Sequence, residues 1–224
     1  MKKKIAIFCA SFLIALCPAF LVGCNQSSDI EDNMSEITKI YYQGGDANND
    51  VRASISVGQR EKDPYIIDGY QNGTCDFSLI AVNFNKQLEE ETIETSLTIN
   101  GNVQNFTMYL NPVNHFYMAD LGYALGENDT ISLTYQEFNI DFYNISKDFV
   151  ISWEQALTIA EDSLGEKLSS FYQGKNFEGE CYLKILTEQN DSFDDLFWYF
   201  SAVSREGETI NVVISVDSGE VLAG

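Results

Sequence analysis

The chain has 224 residues, of which 45% are hydrophobic, and it carries 34 Asp and Glu against 13 Lys and Arg, a net charge of −21. The hydrophobic content is sufficient for a packed core and excludes a wholly disordered chain. So acidic a surface repels phosphate groups, so we expect no nucleic-acid partner, and it repels anionic lipid headgroups as well.

The N-terminus has the parts of a secretory signal, which are a basic start, an apolar stretch and small residues before a cleavage point. Residues 2–4 are lysines, residues 5–22 are almost all apolar, and Leu21-Val22-Gly23-Cys24 closes the run. Those four residues resemble the lipobox of bacterial lipoproteins. The resemblance implies a signal peptide over residues 1–23 and a diacylglyceryl lipid on the Cys24 sulfur. The alternative is an uncleaved transmembrane helix, although Pro18 interrupts the apolar run.

A lipid on Cys24 would determine where the protein works. Two acyl chains attach a protein stably to a membrane, so we expect it at the outer face of the cytoplasmic membrane, with residues 24–35 as a polar tether. Two other cysteines, Cys75 and Cys181, remain as thiols beyond the tether. Strand parity puts Cys181 on a buried face, and Cys75 belongs to a different predicted domain. We therefore expect two buried, free thiols.

Residues 36–147 are predicted to form a domain of short strands, because apolar and polar residues alternate there in several runs. Asn100-Gly101 separates two such runs and suits the positive φ angles of a type I′ hairpin turn. No long helical pattern interrupts, so the fold class expected is an antiparallel β-sandwich, of which the immunoglobulin-like form is one candidate. The alternating apolar positions include Val51, Ala53, Ile55, Val57, Ile93, Leu97, Ile99, Ile131, Leu133, Tyr135, Phe138, Ile140 and Phe142.

Residues 150–224 are predicted to form a second, α+β domain. Ser152 and Gln155 have the spacing of a capping box at the start of a helix. Three alternating strands follow, around residues 181–187, 196–203 and 209–216, so one helix is expected to cover a small antiparallel sheet. The helical stripe consists of Trp153, Ala156, Leu157, Ala160, Leu164 and Leu168.

Two segments of this second domain resemble a known family. They are Ile151-Ser152-x-Glu154-Gln155-Ala156-Leu157-x-Ile159-Ala160 and Val216-Asp217-Ser218-Gly219-Glu220-Val221-Leu222. In order and spacing they resemble a PepSY domain. The resemblance implies a helix-on-sheet module of secreted and membrane-bound proteins, with a regulatory or inhibitory role toward peptidases. It supplies no catalytic residue.

Residues with catalytic or metal-binding chemistry are few. The single histidine, His115, lies in a predicted loop, and no hydrolase or metalloprotease motif accompanies it, so we expect neither an enzyme nor a cofactor. The segment from Asp46 through Asn48 to Asp50 opens like a calcium loop. The glycine and glutamate that such a loop needs further on are replaced by valines. A Gly- and Asn-rich turn is therefore the preferred interpretation of that segment, and calcium the weaker one.

The last predicted sheet has an unusually apolar second face. Strand parity places the helix stripe against Trp198 and Phe200, so the opposite face is left for water, for the other domain or for a partner. We expect a non-catalytic protein-binding or regulatory module, with a secreted or envelope protein such as a peptidase as its partner. The alternative is a structural or adhesin-like envelope protein that binds through the sandwich. The candidate binding face consists of Phe197, Tyr199, Tyr182, Val213 and Leu186.

Overall fold

The structure is a computed structural model that describes residues 30–46, 50–86, 88–187 and 196–223. Within these residues the chain is mainly β, with one α-helix and two short 3-10 helices, Glu31–Asn33 and Ile145–Asp148. The elements are β1 Met34–Gly45, β2 Val51–Glu61, β3 Thr74–Phe84, β4 Thr92–Ile99, β5 Asn102–Leu110, β6 Tyr117–Asp120, β7 Ile131–Tyr135, β8 Phe138–Asn144, α1 Trp153–Ser169, β9 Tyr172–Gln173, β10 Asn176–Phe177, β11 Gly179–Thr187, β12 Leu196–Ser204, β13 Thr209–Ser215 and β14 Val221–Ala223.

Eight strands form a closed antiparallel barrel in the order β1–β2–β3–β6–β5–β4–β7–β8, and β8 pairs back onto β1. The alternating apolar residues of these strands point inward and fill the interior, as expected for a barrel of this strand number. The buried interior residues are Tyr42, Val51, Ala53, Ile55, Val57, Ile80, Val82, Phe84, Ile93, Leu97, Met108, Tyr117, Leu125, Ile131, Leu133, Tyr135, Ile140 and Phe142.

The β-sandwich predicted for residues 36–147 is therefore wrong. The barrel closes where Tyr42 to Gly45 of β1 pair with Asp141 to Asn144 of β8. Gly44 allows the β1 and β8 backbones to pair this closely, because a Cβ at that position would lie 2.7 Å from the Asp141 carbonyl oxygen. Alternation shows that one face of a strand is buried, but it carries no information about whether the two edges of a sheet meet.

The predicted PepSY-like domain, a helix on a small antiparallel sheet of its own, is also wrong. The sheet of β11–β14 continues into the barrel through β1, which is shared between the two parts. The first residues of β1, Met34 to Ile37, pair in parallel with Cys181 to Leu183 of β11. The result is one continuous twelve-stranded sheet.

Helix α1 packs on the face of β12 and β13 that carries Trp198, Phe200, Val212 and Ile214. The capping box is confirmed, since Ser152 accepts from the Gln155 backbone N–H and the Gln155 side chain accepts from the Ser152 N–H. The Trp198 Nε1–H donates to the Ile151 carbonyl at 2.9 Å, which ties the start of the helix to the sheet.

Two further local predictions have clear outcomes. The hairpin between β4 and β5 turns at Asn100 and Gly101, whose φ angles are both positive at 50° and 81°, as the predicted turn requires. Both thiols are free as predicted, and Cys181 is buried. The prediction that Cys75 is buried is wrong, because the first residues of β3 face solvent.

Candidate functional site

The five residues of the predicted binding face belong to β11, β12 and β13, and their pairing places them on the sheet face opposite α1, here called the outer face. Leu186 lies directly across from Phe197, and Tyr199 lies directly across from Val213. Directly opposed residues of antiparallel strands share a face. Lys184 on β11 is the other cross-strand partner of Tyr199. Tyr182 lies two residues before Lys184 on the same strand, so Tyr182 points to the same face.

Part of the outer face is covered by the connection between β2 and β3, residues 62–73, here called the strap. A hydrogen bond from the Lys62 N–H to the Gly73 carbonyl closes its base. The Tyr65 ring meets the Tyr182 ring edge to face, with 6.3 Å between centroids. Tyr70 lies under the Arg205 guanidinium, 4.5 Å from its ring centroid. The strap therefore crosses the outer face from β11 to the hairpin that follows β12.

The strap backbone is held by two buried carboxylates. Glu180, which is fully buried, accepts from the Gly69 N–H at 3.2 Å and from the Ser35 hydroxyl at 3.1 Å. Glu61, which is 1% exposed, accepts from the Asn72 N–H at 2.9 Å. Hydrogen bonds to a charged acceptor are about twice as strong as neutral ones. These contacts give the strap a defined course.

The hydroxyls of Tyr65, in the strap, and of Tyr182, beneath it, have an acidic environment. Burial, and then the Glu36 carboxylate, raise the pKa of Tyr65 to about 12. Burial raises the pKa of Tyr182 further above its ordinary value, and the adjacent Glu180 adds to the effect. Both groups are therefore neutral at physiological pH, and neither is a candidate nucleophile or base.

The other part of the outer face stays open. Tyr182 is buried under the strap, but Leu186 is 41% exposed, and Phe197, Tyr199 and Val213 are half-buried. The neighbouring Lys184 ammonium is held by the Glu36 carboxylate at 2.8 Å. We call Leu186, Phe197, Tyr199 and Val213 the open half of the outer face.

The strap adds an apolar surface that the sequence interpretation missed. Ile66 is 51% exposed and Ile67 is 61% exposed, between the partly exposed rings of Tyr65 and Tyr70. The signal present in the sequence is a short apolar run between two turn pairs, Asp-Pro and Asp-Gly. That pattern predicts a loop, and it does not predict which way the apolar side chains point.

Of the weak calcium candidate, the structure describes Asp46 and Asp50. One Asp46 carboxylate oxygen accepts from the Val51 N–H at 2.8 Å, and the Asp46 N–H donates to the Val51 carbonyl. Asp50 is exposed at the start of β2, and Asn48 lies outside the described residues, as does the predicted lipidation site Cys24. In the described part of the chain, no group of three or more His, Cys, Asp or Glu side chains is arranged to hold a metal ion.

Cys75 and His115 offer the thiol and the imidazole that a cysteine nucleophile and its base would need, but the fold does not bring them together. Cys75 lies at the start of β3, and His115 lies in the loop before β6. Strand β6 pairs with the other end of β3, where Tyr117 lies across from Val82. At about 3.3 Å per strand residue the two side chains are roughly 30 Å apart. A Cys–His catalytic pair is therefore excluded.

Within the described residues, no helix is both long and apolar enough to cross a membrane. Comparison of the chain with protein-family models, with curated proteins and with solved structures found no match.

Proposed function

We propose that this protein is a non-catalytic protein-binding module of the bacterial cell envelope, anchored at the outer face of the cytoplasmic membrane through a lipid on Cys24. The observation that carries the proposal is the open half of the outer face. An antiparallel sheet face that meets only water is normally polar. Here large apolar side chains stay partly exposed next to a strap that could have covered them, and contiguous apolar patches of this kind mark contact surfaces.

The partner class that we propose is a secreted or envelope protein. A peptidase is one candidate member of that class. A lipid anchor keeps the module near the membrane, where such proteins pass. The acidic surface does not attract anionic headgroups, so the lipid rather than the protein surface would hold it there.

The test compares two neighbouring substitutions in capture of partners from native membranes. Phe197→Asp places a charge on the half-buried outer face, so the fold should stay intact and capture should be lost. Trp198→Asp buries an unpaired charge at a side chain only 1% exposed, which costs several kcal/mol and should unfold the protein. If both variants unfold alike, or if Phe197→Asp still captures its partner, the proposal fails.

A second candidate function is an adhesin-like or structural role through the barrel wall. A shallow cleft of about 250 Å³ on the wall is lined by Leu79, Phe106, Tyr109 and Met118 among others, and Tyr109 is 62% exposed. This function predicts that Tyr109→Asp abolishes binding to cell-wall polymer or to a host ligand, while Phe197→Asp has no effect.

A further inference from the structure

The strap has an inverted arrangement of polar and apolar groups. Its inner side rests on the buried carboxylates of Glu61 and Glu180 and on the buried side chain of Tyr182. Its outer side presents the aliphatic side chains of Ile66 and Ile67. A loop that served only to cover the sheet would gain more by turning those two side chains inward, since burial of an aliphatic side chain is strongly favourable.

The structure holds the strap in this inverted conformation. The Gly69 N–H, in the second turn pair, and the Asn72 N–H, after it, donate to the buried carboxylates of Glu180 and Glu61. Gly69 has a φ of +81°, and a Cβ there would lie 2.6 Å from the Arg205 backbone nitrogen, so the strap lies directly on the hairpin after β12. A loop already fixed in its binding conformation loses less entropy on binding.

The charges at the strap indicate what it would meet. Asp63 and Asp68 lie in the strap, and Glu206 and Glu208 follow Arg205 in the hairpin beneath it. All four are exposed, and none forms an ion pair within the described residues. Two of the nearby cations are engaged, because Arg205 pairs with Glu178 at 2.9 Å and Lys184 with Glu36. The third, Lys62 at the base of the strap, is exposed and forms no ion pair within the described residues. Four exposed carboxylates against one ammonium leave an excess of negative charge around Ile66 and Ile67.

We propose that the strap is a preformed docking element, and that Ile66 and Ile67 enter an apolar pocket with a basic rim on the partner protein. Glu61 and Glu180 act as positioning residues, because they hold the strap backbone without touching the partner. The inference rests on the proposed function, since the partner is the same protein. It adds a second contact surface, on the strap that covers Tyr182, and it specifies the partner's chemistry.

The test uses a short peptide of alternating leucine and lysine as a stand-in for a basic, apolar surface. Two matched peptides replace lysine by glutamate or leucine by serine. The protein is the chain from residue 24 onward with Cys24→Ser, which contains every residue that the structure describes. We expect only the leucine–lysine peptide to bind, and its affinity should fall as salt rises from about 0.05 M to about 0.5 M.

The decisive variant is the double substitution Ile66→Ser with Ile67→Ser, which should weaken peptide binding roughly tenfold or more. Asp63→Asn with Asp68→Asn should weaken binding and flatten its salt dependence. Val113→Ser, at a valine that is 87% exposed on the barrel, is the matched control and should change nothing. The inference would be overturned if the Ile66 and Ile67 double variant bound the leucine–lysine peptide as tightly as the wild type does. It would also be overturned if the wild type bound the leucine–glutamate peptide as tightly as the leucine–lysine peptide.

Two further measurements distinguish a protein partner from a lipid surface, and the strap from the open half of the outer face. If phosphatidylcholine vesicles bind the wild type but not the Ile66 and Ile67 double variant, the ligand is a lipid surface and the proposal is wrong. In the membrane capture assay, loss with Phe197→Asp but not with the double variant would leave the proposed function standing and remove the strap. Loss with the double variant but not with Phe197→Asp would place the contact with the partner at the strap and remove the open half of the outer face from it.

Discussion

Adjacent residues on β12 have opposite environments, and the difference sets what each can do. Trp198 is 1% exposed, bonds the Ile151 carbonyl and meets the Phe149 ring edge to face at 5.9 Å. Phe197, one residue earlier, lies half-buried on the outer face. The alternation of a strand thus assigns one aromatic ring to the core and the next to the candidate contact surface.

The two thiols give a prediction at the same scale. Cys75 is exposed on β3, whereas Cys181 is fully buried, and burial raises the pKa of the Cys181 thiol well above its ordinary value. The thiolate is the reactive species, so Cys181 should be inert in the folded protein. Thiol labelling of the chain from residue 24 onward with Cys24→Ser should modify only Cys75 under native conditions and both cysteines in denaturant. Native labelling of both, or of neither, would contradict these assignments.

Among the elements, the strap depends most visibly on one residue. Gly69 combines a positive φ with contacts that a Cβ would violate, whereas Gly73 has a φ of +86° and no atom within 4 Å of the Cβ position. Gly73→Ala should therefore cost only the left-handed backbone penalty, about 1–2 kcal/mol of unfolding free energy. Gly69→Ala should cost more, and it should detach the strap from the hairpin at Arg205.

Limited proteolysis and denaturant unfolding measure these two effects. Gly69→Ala should accelerate cleavage within residues 62–73, while Gly73→Ala should leave the cleavage rate much closer to that of the wild type. Equal protection in both variants would mean that the close packing of Gly69 on the hairpin does not hold the strap in place.

Elements governed by local chemistry could be predicted from the sequence. The capping box at Ser152 and Gln155 and the turn at Asn100 and Gly101 each need only residues close together in the chain. The strap could not be predicted, because its course depends on Glu180, more than a hundred positions away. Strand parity predicts the outer face, but the division of that face into covered and open parts depends on where the strap lies.

At the scale of the whole molecule, β1 determines the architecture. Its first residues join β11 in parallel, and its last residues join β8 to close the barrel. Neither pairing can be predicted from strand alternation or from turn residues, since each joins the edges of two strands that lie far apart in the chain. The sandwich and the separate helix-on-sheet domain were natural predictions from local pattern, and both are wrong for this reason.

The proposed anchor gives a prediction for the intact protein. Cys24→Ala should prevent lipidation, because the sulfur is the atom that carries the lipid in proteins with this motif. The variant should either leave the membrane fraction or keep its leader, and intact mass and membrane fractionation measure the two outcomes. Normal processing together with equal membrane retention in high salt would contradict the anchor.

Photo-crosslinking in intact cells measures whether the open half of the outer face contacts another protein. A photoreactive amino acid replaces Tyr199 in one strain and Tyr143, which is 69% exposed on the barrel, in another. We expect one discrete protein adduct at position 199, lost when Phe197→Asp is added, and none at position 143. No adduct at position 199, or the same adduct at both positions, would contradict it.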